Sequence, residues 1–489
     1  MTMTLEVKDT KRWWILVVLS IATLMVSLDA TVINIALPRA QLDLHFSNAN
    51  RQWLITAYAL AFGSLLQLGG RLSDLWGRRN VLLIGLAGFA LASVLGGSAT
   101  SFTMLVTARA IQGLFGALLA PAVLATLSTT FQEPKERAEA FAIYGAIAAS
   151  GAAIGLLLGG ALTQWASWRW CLFINLFFAA IDIVGVLAFI DKRRSETRTK
   201  LDILGTVLAS AGLFFVVYGL AHAVTSSWTN AFTWASLLLG AGFLVLFVYW
   251  QEHSKNPLLP LRIFMQRTRA GSFVALFITN IGIFGISLFL AYYMQDTLGY
   301  SPMRTGLAFL PLVVGITLSA FVASARLLAK TGPRPLIPVG MVLSVMGMVL
   351  FTKLPANSDY FGHVLPGLVI TGLGLGLIFA PAIASATANL EKRDAGAAGA
   401  LVNTTQQIGG SVGTALLNTI AVSAATREGI SLFHHHPPKT GVAMRALETT
   451  ATLHGYTVAF WWAAGIFAFG AILTFFMLEN GAPSVIESS

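Results

Sequence analysis

Residues 13–37, WWILVVLSIATLMVSLDATVINIAL, carry one charge, Asp29, in an otherwise largely apolar run. About 20 such residues suffice to cross the hydrocarbon of a bilayer as a helix. Lys8, Lys11 and Arg12 precede the run, as basic residues do in a secretory signal. The apolar stretch is longer than the core of a signal, and no clear small-residue cleavage site follows it. It therefore reads as a retained first span.

The same reading extends along the chain. Further spans are expected over 50–70, 81–99, 103–130, 138–164, 171–190, 203–222, 231–250, 270–293, 304–325, 335–353, 362–386, 396–425 and 456–478. Hydrophobic residues make up 56% of the 489 and charged residues only 11%, against roughly 25% charged in soluble proteins. Single soluble cores stop growing beyond about 250–300 residues, so lipid is the solvent that suits this much apolar surface. Helices satisfy their own backbone hydrogen bonds in hydrocarbon. A membrane barrel would instead show alternating segments of about 10 residues, and these runs do not alternate. The expected fold class is an all-α integral membrane protein with about fourteen transmembrane helices.

The net charge of +10 does not mark a nucleic-acid partner, because the basic residues sit in short connections rather than on one exposed face. Anionic lipid headgroups are the partner they suit. Cys171 is the only cysteine, which excludes an intramolecular disulfide and argues against a thiol-based metal site. With the N-terminus in the cytoplasm, 22 Lys and Arg fall on the inner side and 8 on the outer. That asymmetry puts both termini inside. Trp13, Trp53, Trp165, Trp250 and Trp461 lie near span ends, as interfacial belts do.

A weak internal repeat organises the chain. GRLSDLWGRR, residues 70–79, follows span 2, and RLLAKTGPR, residues 326–334, follows span 10. Span 4 contains RAIQGLFGALLAP, residues 109–121, and span 12 contains GLGLGLIFAP, residues 372–381. Matching signals in two halves suggest a duplicated transporter with its site between them. The expected domains are a six-helix bundle over 13–190, two additional helices over 203–250, and a second six-helix bundle over 270–478. The last should carry an extracellular loop at about 426–455, with His434, His435, His436 and two prolines. No acid or thiol cluster surrounds those histidines, so they are expected to serve the loop and not a metal.

Ionisable groups inside spans point to chemistry. An ionised carboxylate at a span centre costs roughly 2.5–3.5 kcal/mol on insertion scales, so such groups mark transport pathways and proton relays by default. Asp29 lies about 12 Å from the outer end of span 1 at helical rise, and Arg109 roughly 10 Å into span 4 from the same side. They are at comparable depth and are expected to pair if the spans are neighbours. Arg109, Gln112, Gly113 and Gly116 share one helix face by spacing. Asp182 falls near the midplane of span 6, as a second proton site, an anchor for a cationic substrate, or a partner for a hydroxyl. Asn403, Gln406, Gln407 and Gly410 share a face of span 13, and Asn280 lies mid-span in span 9. These amides suit a cavity lining or an interhelical hydrogen bond. In the loop after span 2, Gly77 permits a tight turn and Asp74 can pair with Arg78 or accept from a helix N-terminus. Gly145, Gly151, Gly155, Gly159 and Gly160 make a small-residue stripe that lets helices approach closely.

Taken in order, these motifs resemble the major facilitator superfamily, and within it the fourteen-span drug:proton antiporters. The resemblance covers nearly the whole chain. LDATVINIALP, residues 28–38, looks like the acidic signature of the first span, and Trp53, Thr56 and Tyr58 like the start of span 2. Gly70–Arg79 resembles the superfamily's loop signature and Arg109–Gly113 the span-4 motif. The span-5 glycines resemble the antiporter motif, and Asn403, Gln407, Gly409 and Gly410 the span-13 pattern. Two positions depart from the family: Leu156 and Phe177 stand where proline is usual. Both losses should straighten their helices, since proline is a common cause of kinks.

The resemblance implies a major facilitator fold and export by alternating access. Protons would load at Asp29, with Arg109 as partner and Asp182 as a further site. Asn34, Gln112, Asn280, Asn403, Gln406 and Gln407 would face the substrate cavity. Gly70, Asp74, Gly77, Arg78 and Arg79 would gate the inner mouth. The implied substrates are lipophilic, often cationic, drugs or toxic metabolites, handled by a monomer in a bacterial cytoplasmic membrane. No GxxxxGK[ST] phosphate loop occurs, so direct use of ATP is not expected. No cofactor and no enzymatic activity are expected, because no paired acids or histidine-rich helical motif supply catalytic groups. A dedicated exporter of one metabolite or antibiotic is the near alternative. An importing symporter, a membrane enzyme and a sensor rank lower.

Overall fold

A computed structural model describes residues 2–47, 50–131, 133–191, 202–225, 229–254, 257, 265–323, 327–356, 359–388, 395–435 and 440–479. His436, Pro437 and Pro438, the basic run Lys192–Lys200, and Arg326 lie outside the described residues. So do the side chains of Arg71, Asp74 and Gln407.

The described chain is helical throughout. The first six helices are α1 (Thr2–Leu44), α2 (Trp53–Trp76), α3 (Arg78–Gly97), α4 (Phe102–Thr130), α5 (Pro134–Trp165) and α6 (Trp170–Phe189). Then come α7 (Ile203–Thr225) and α8 (Ala231–His253). The second set is α9 (Arg267–Tyr292), α10 (Pro302–Ala308), α11 (Leu310–Val322), α12 (Pro333–Phe351), α13 (Leu365–Thr387), α14 (Ala395–His435) and α15 (Gly441–Met477). A π turn, Tyr293–Thr297, extends α9. α10 and α11 together make one apolar crossing, Pro302–Val322. Among the described residues, 11 helical segments are long and apolar enough to cross a membrane. Shorter apolar segments, Trp53–Leu66, Ile154–Trp165 and Ile203–Val216, lie within α2, α5 and α7.

Local chemistry fixes where helices begin and turn. The Ser101 hydroxyl accepts from Met104 N at 3.3 Å at the start of α4, and Asn230 accepts from Phe232 N at 2.8 Å at the start of α8. Such caps satisfy donors that a helix cannot satisfy itself. Gly77 joins α2 to α3 at φ 83°, and Gly332 opens α12 at φ 74°. These are the two repeat positions in the sequence, and only glycine takes that backbone without strain.

The pairing of helices repeats. In the first bundle α2 packs on α4, α1 on α5 and α6, and α3 on α4 and α6. In the second, α11 packs on α13, α9 on α14 and α15, and α12 on α13 and α15. The superposed pattern takes α1 to α9, α2 to α10–α11, and so on to α6 and α15. This is the major facilitator architecture of two six-helix bundles. α7 rests against α2 and α14, and α8 packs on α7. The Ser210 hydroxyl of α7 donates to Ser64 O of α2 at 2.8 Å.

The span-5 glycines bring α1 and α5 together. A Cβ at Gly155 would meet Thr31 Oγ1 at 2.0 Å, and one at Gly159 would meet Val32 O at 3.0 Å. Gly160 instead touches the other bundle, where a Cβ would lie 2.7 Å from Met303 Cα. α5 runs unbroken from Pro134 to Trp165 through Leu156, and Phe177 is exposed on α6.

The segment 426–455, expected as an extracellular loop, is helical over 426–435 and 441–455. α14 has 41 residues and α15 has 37, or about 61 and 55 Å at helical rise. Both exceed a hydrocarbon core of about 30 Å. Thr457 Oγ1 donates to Thr352 O, just past the end of α12, at 3.3 Å. Residues of α15 before that level project beyond the bundle as one arm of a helical hairpin. The ends of the molecule are named here from α1: the near end holds its first residues, and the far end holds Leu44.

Candidate coupling site

Five helices of the first bundle converge on one carboxylate. Asp29 of α1 and Arg109 of α4 are both fully buried, and Arg109 Nη1 lies 2.6 Å from Asp29 Oδ2. Asn175 of α6 donates to Asp29 Oδ1 at 2.7 Å, and Gln112 of α4 donates to the same oxygen at 3.2 Å. Arg109 Nε donates to Leu54 O of α2 at 3.1 Å, and its Nη1 also reaches Gln112 Oε1 at 2.8 Å. The guanidinium carbon sits 4.4 Å from the centre of the Tyr58 ring. Ser93 of α3 accepts from Gln112 at 2.7 Å and from Asn175 at 3.3 Å, and its hydroxyl donates to Phe89 O at 2.8 Å.

The spacing read from the sequence explains part of this arrangement. Arg109 and Gln112 are three residues apart on one face of α4, and Gly113 lets that face approach α2. A Cβ at Gly113 would lie 2.3 Å from Tyr58 O. Both Asp29 oxygens receive only donors: one cation and two amides. Such a shell suits the ionised acid, since charge-assisted hydrogen bonds are the strong ones. Removing one partner of a buried pair costs roughly 3–5 kcal/mol, because the other charge is left uncompensated. Loss of either charge would therefore leave the other buried and uncompensated.

Asn175, Ser93 and Tyr58 were not singled out for this site. Asn175 lies within the span expected over 171–190, and its place two turns before Asp182 was the available signal.

Asp182 stands apart from the network. It lies seven residues past Asn175 on α6, about 10 Å further toward the near end at helical rise. It is fully buried, and neither of its oxygens has a hydrogen-bond partner. One turn on, a Cβ at Gly185 would meet Val18 of α1 at 2.5 Å, so this stretch of α6 presses on α1.

The residues expected to face a cavity are spread over both bundles. Asn34 is buried with its Oδ1 unpartnered. Asn280 donates to Leu276 O at 2.8 Å and Asn403 to Gly399 O at 3.2 Å, each within its own helix. Gln406 is half-buried, and Gln112 belongs to the Asp29 network. At the start of α3, Arg78 donates to Thr129 Oγ1 at 2.5 Å and Arg79 to Leu187 O at 3.1 Å. Both arginines thus tie the loop to α4 and α6 of their own bundle. Gly70 lies beside Pro121 of α4.

Hydrogen bonds between the bundles gather at the far end. Tyr292 donates to Gln41 Oε1 at 2.5 Å, Gln295 to Ile35 O at 3.1 Å, and Asn418 to Gln52 Oε1 at 3.1 Å. Met303 N donates to Gln164 Oε1 at 3.3 Å. The sequence offered no sign of this seam, because most partners look like loop or span-end residues and Asn418 like one more amide within a span.

Comparison with known proteins agrees with this architecture. The Major Facilitator Superfamily pattern matches residues 19–414. The puromycin resistance protein pur8 of Streptomyces alboniger is 44% identical over 98% of this chain and 94% of its own. The cephamycin export protein CmcT of Amycolatopsis lactamdurans is 36% identical over 86% of this chain and 87% of its own. Among solved structures, a bacterial homolog of the human lysosomal transporter Spinster, inward-facing and unoccupied, has a TM-score of 0.64 at 16% identity. It covers 96% of this chain and 98% of that one. Matched along most of its length, this multi-pass membrane protein belongs to the Major Facilitator Superfamily and is a transporter, not an enzyme.

Proposed function

We propose that the protein exports lipophilic, often cationic, drugs or toxic metabolites from the cytoplasm in exchange for protons. The observation that carries the reading is the buried Asp29–Arg109 pair, 2.6 Å apart and enclosed by donors from α4 and α6. A carboxylate so placed can change charge only when its shell opens, which links protonation to helix movement. The relatives' names, puromycin resistance and cephamycin export, support outward transport of antibiotics.

In this reading the near end faces the cytoplasm, as the 22 to 8 distribution of Lys and Arg supports. The far-end seam then closes the outer side. With the seam shut, Asp29 has released its proton inward and Arg109 holds the carboxylate. When the bundles rock and the seam opens, Asp29 takes a proton from outside and frees Arg109. Asp182, buried without a partner, is the second proton site. Asn34, Asn280, Asn403, Gln406 and Gln407 contribute to the substrate path between the bundles, and the Gly70–Arg79 loop gates its inner mouth.

The test is proton release from inside-out vesicles on adding a panel that includes puromycin, a cephamycin and lipophilic cationic dyes, with and without Asp29→Asn. Drug-linked flux in the wild type and its loss in the variant are expected. Flux of normal size in Asp29→Asn removes Asp29 from coupling. A second reading, export of a single antibiotic, is favoured by the single compounds in the relatives' names. It predicts flux with one compound of the panel and none with the dyes.

A further inference from the structure

Arg51 precedes α2 and looks in the sequence like an ordinary loop charge. The structure buries it to 3% exposure between the bundles. Its Nε donates to Asn418 Oδ1 of α14 at 3.1 Å. Its guanidinium carbon lies 4.3 Å from the centre of the Tyr292 ring, and 5.9 Å from those of Phe289 and Tyr456. Phe289 and Tyr292 come from α9 and Tyr456 from α15, and all three rings are buried. Arg51 forms no ion pair with a described carboxylate.

A buried cation without a counter-ion is costly. Here three aromatic rings, one amide oxygen and the Tyr292 and Tyr456 hydroxyls offset that cost, since rings attract cations strongly once water is excluded. Every element of the box belongs to the second bundle, while the cation belongs to the first. The box is also braced within its own bundle. Phe289 packs on Tyr456 at 5.4 Å and on Phe460 at 6.0 Å between ring centres. When the far seam opens, Arg51 must leave with α2 and the rings must stay.

We infer that Phe289, Tyr292, Tyr456 and Asn418 form a binding site for organic cations, such as quaternary ammonium or phosphonium groups, which Arg51 occupies while the far gate is shut. An organic cation meets the vacated box at the open gate, and the returning guanidinium displaces it. Binding to the box does not depend on the export reading; only the direction of passage rests on it.

The experiment is equilibrium binding of radiolabelled tetraethylammonium to the purified full chain, which needs no transport. Arg51→Ala should gain a saturable site, roughly tenfold tighter than any in the wild type, a difference of about 1.4 kcal/mol and within reach of such contacts. Arg51→Lys should behave as wild type. Adding Phe289→Leu or Tyr456→Leu to Arg51→Ala should abolish the gain. Equal binding in wild type and a monodisperse Arg51→Ala, or a gain that survives the ring substitutions, overturns the inference. Should Arg51→Ala not fold, Tyr456→Leu alone decides. It should raise the KM for tetraphenylphosphonium efflux and spare that of a neutral substrate, and equal effects on both reduce the rings to a gate.

Discussion

Asn175 and Asp29 are 146 positions apart in the chain, yet the Asn175 amide donates to the Asp29 carboxylate at 2.7 Å. That contact brings α6 into a site otherwise made by α1 and α4, and Ser93 of α3 joins through the same amide. The acid is therefore held from two sides, by a cation on one and an amide relay on the other.

Replacing Asn175 with Leu removes a donor to a buried carboxylate. A hydrogen bond to a charged group contributes about 1.5–3 kcal/mol, so the variant should melt several degrees lower in detergent. A thermal scan of Asn175→Leu beside wild type checks this, and an unchanged melting temperature would contradict the hydrogen bond.

Arg109→Met should be far more damaging than its size suggests, because it strands the Asp29 charge. The expected loss is roughly 3–5 kcal/mol. The double variant Asp29→Asn, Arg109→Met should regain much of that stability while remaining uncoupled. Yield of monodisperse protein measures the first effect and drug-linked proton flux the second. A double variant no more stable than Arg109→Met would show that the pair is not coupled.

Asp182→Asn should fold normally, since neither Asp182 oxygen accepts a hydrogen bond. Its effect should fall on transport, as fewer protons moved per drug molecule. Flux stoichiometry in vesicles tests it. A stoichiometry equal to wild type assigns Asp182 no part in coupling.

The far seam can be wedged. A Cβ at position 160 would lie 2.7 Å from Met303 Cα and 2.8 Å from Pro302 O, closer than packed backbone allows. Gly160→Leu should therefore hold the two bundles apart at the far end. Efflux should fall while the yield of monodisperse protein stays near that of wild type. Efflux equal to wild type would show that the seam need not close at Gly160.

Much of the fold was legible because lipid enforces it. A segment with no water to bond must be helical, and its length must match the bilayer, so apolar runs such as 13–37 and 81–99 reveal themselves. The repeat was legible at Gly77 and Gly332, where positive φ demands glycine. The helices over 426–435 and 441–455 were not, because they run past the length a bilayer needs and the sequence there, ATREGISLFHHH, is polar enough to pass for a loop.

Within the site, depth along a helix could be counted from sequence, and it put Asp29 and Arg109 at one level. Rotation about the axis and the choice of neighbours could not. Asn175 and Asn280 look alike in sequence, yet one joins the carboxylate and the other bonds its own helix.

That the chain crosses the membrane many times in two related halves, with an acid and an arginine inside the first, could be read from residues 1–489 in order. Those facts follow from local transfer energies, which each segment carries alone. Which amides close around Asp29, the burial of Arg51 between the bundles, and the end at which the halves meet emerge only once the helices are packed. Those depend on packing between distant helices, and apolar lipid tails do not distinguish one helix face from another.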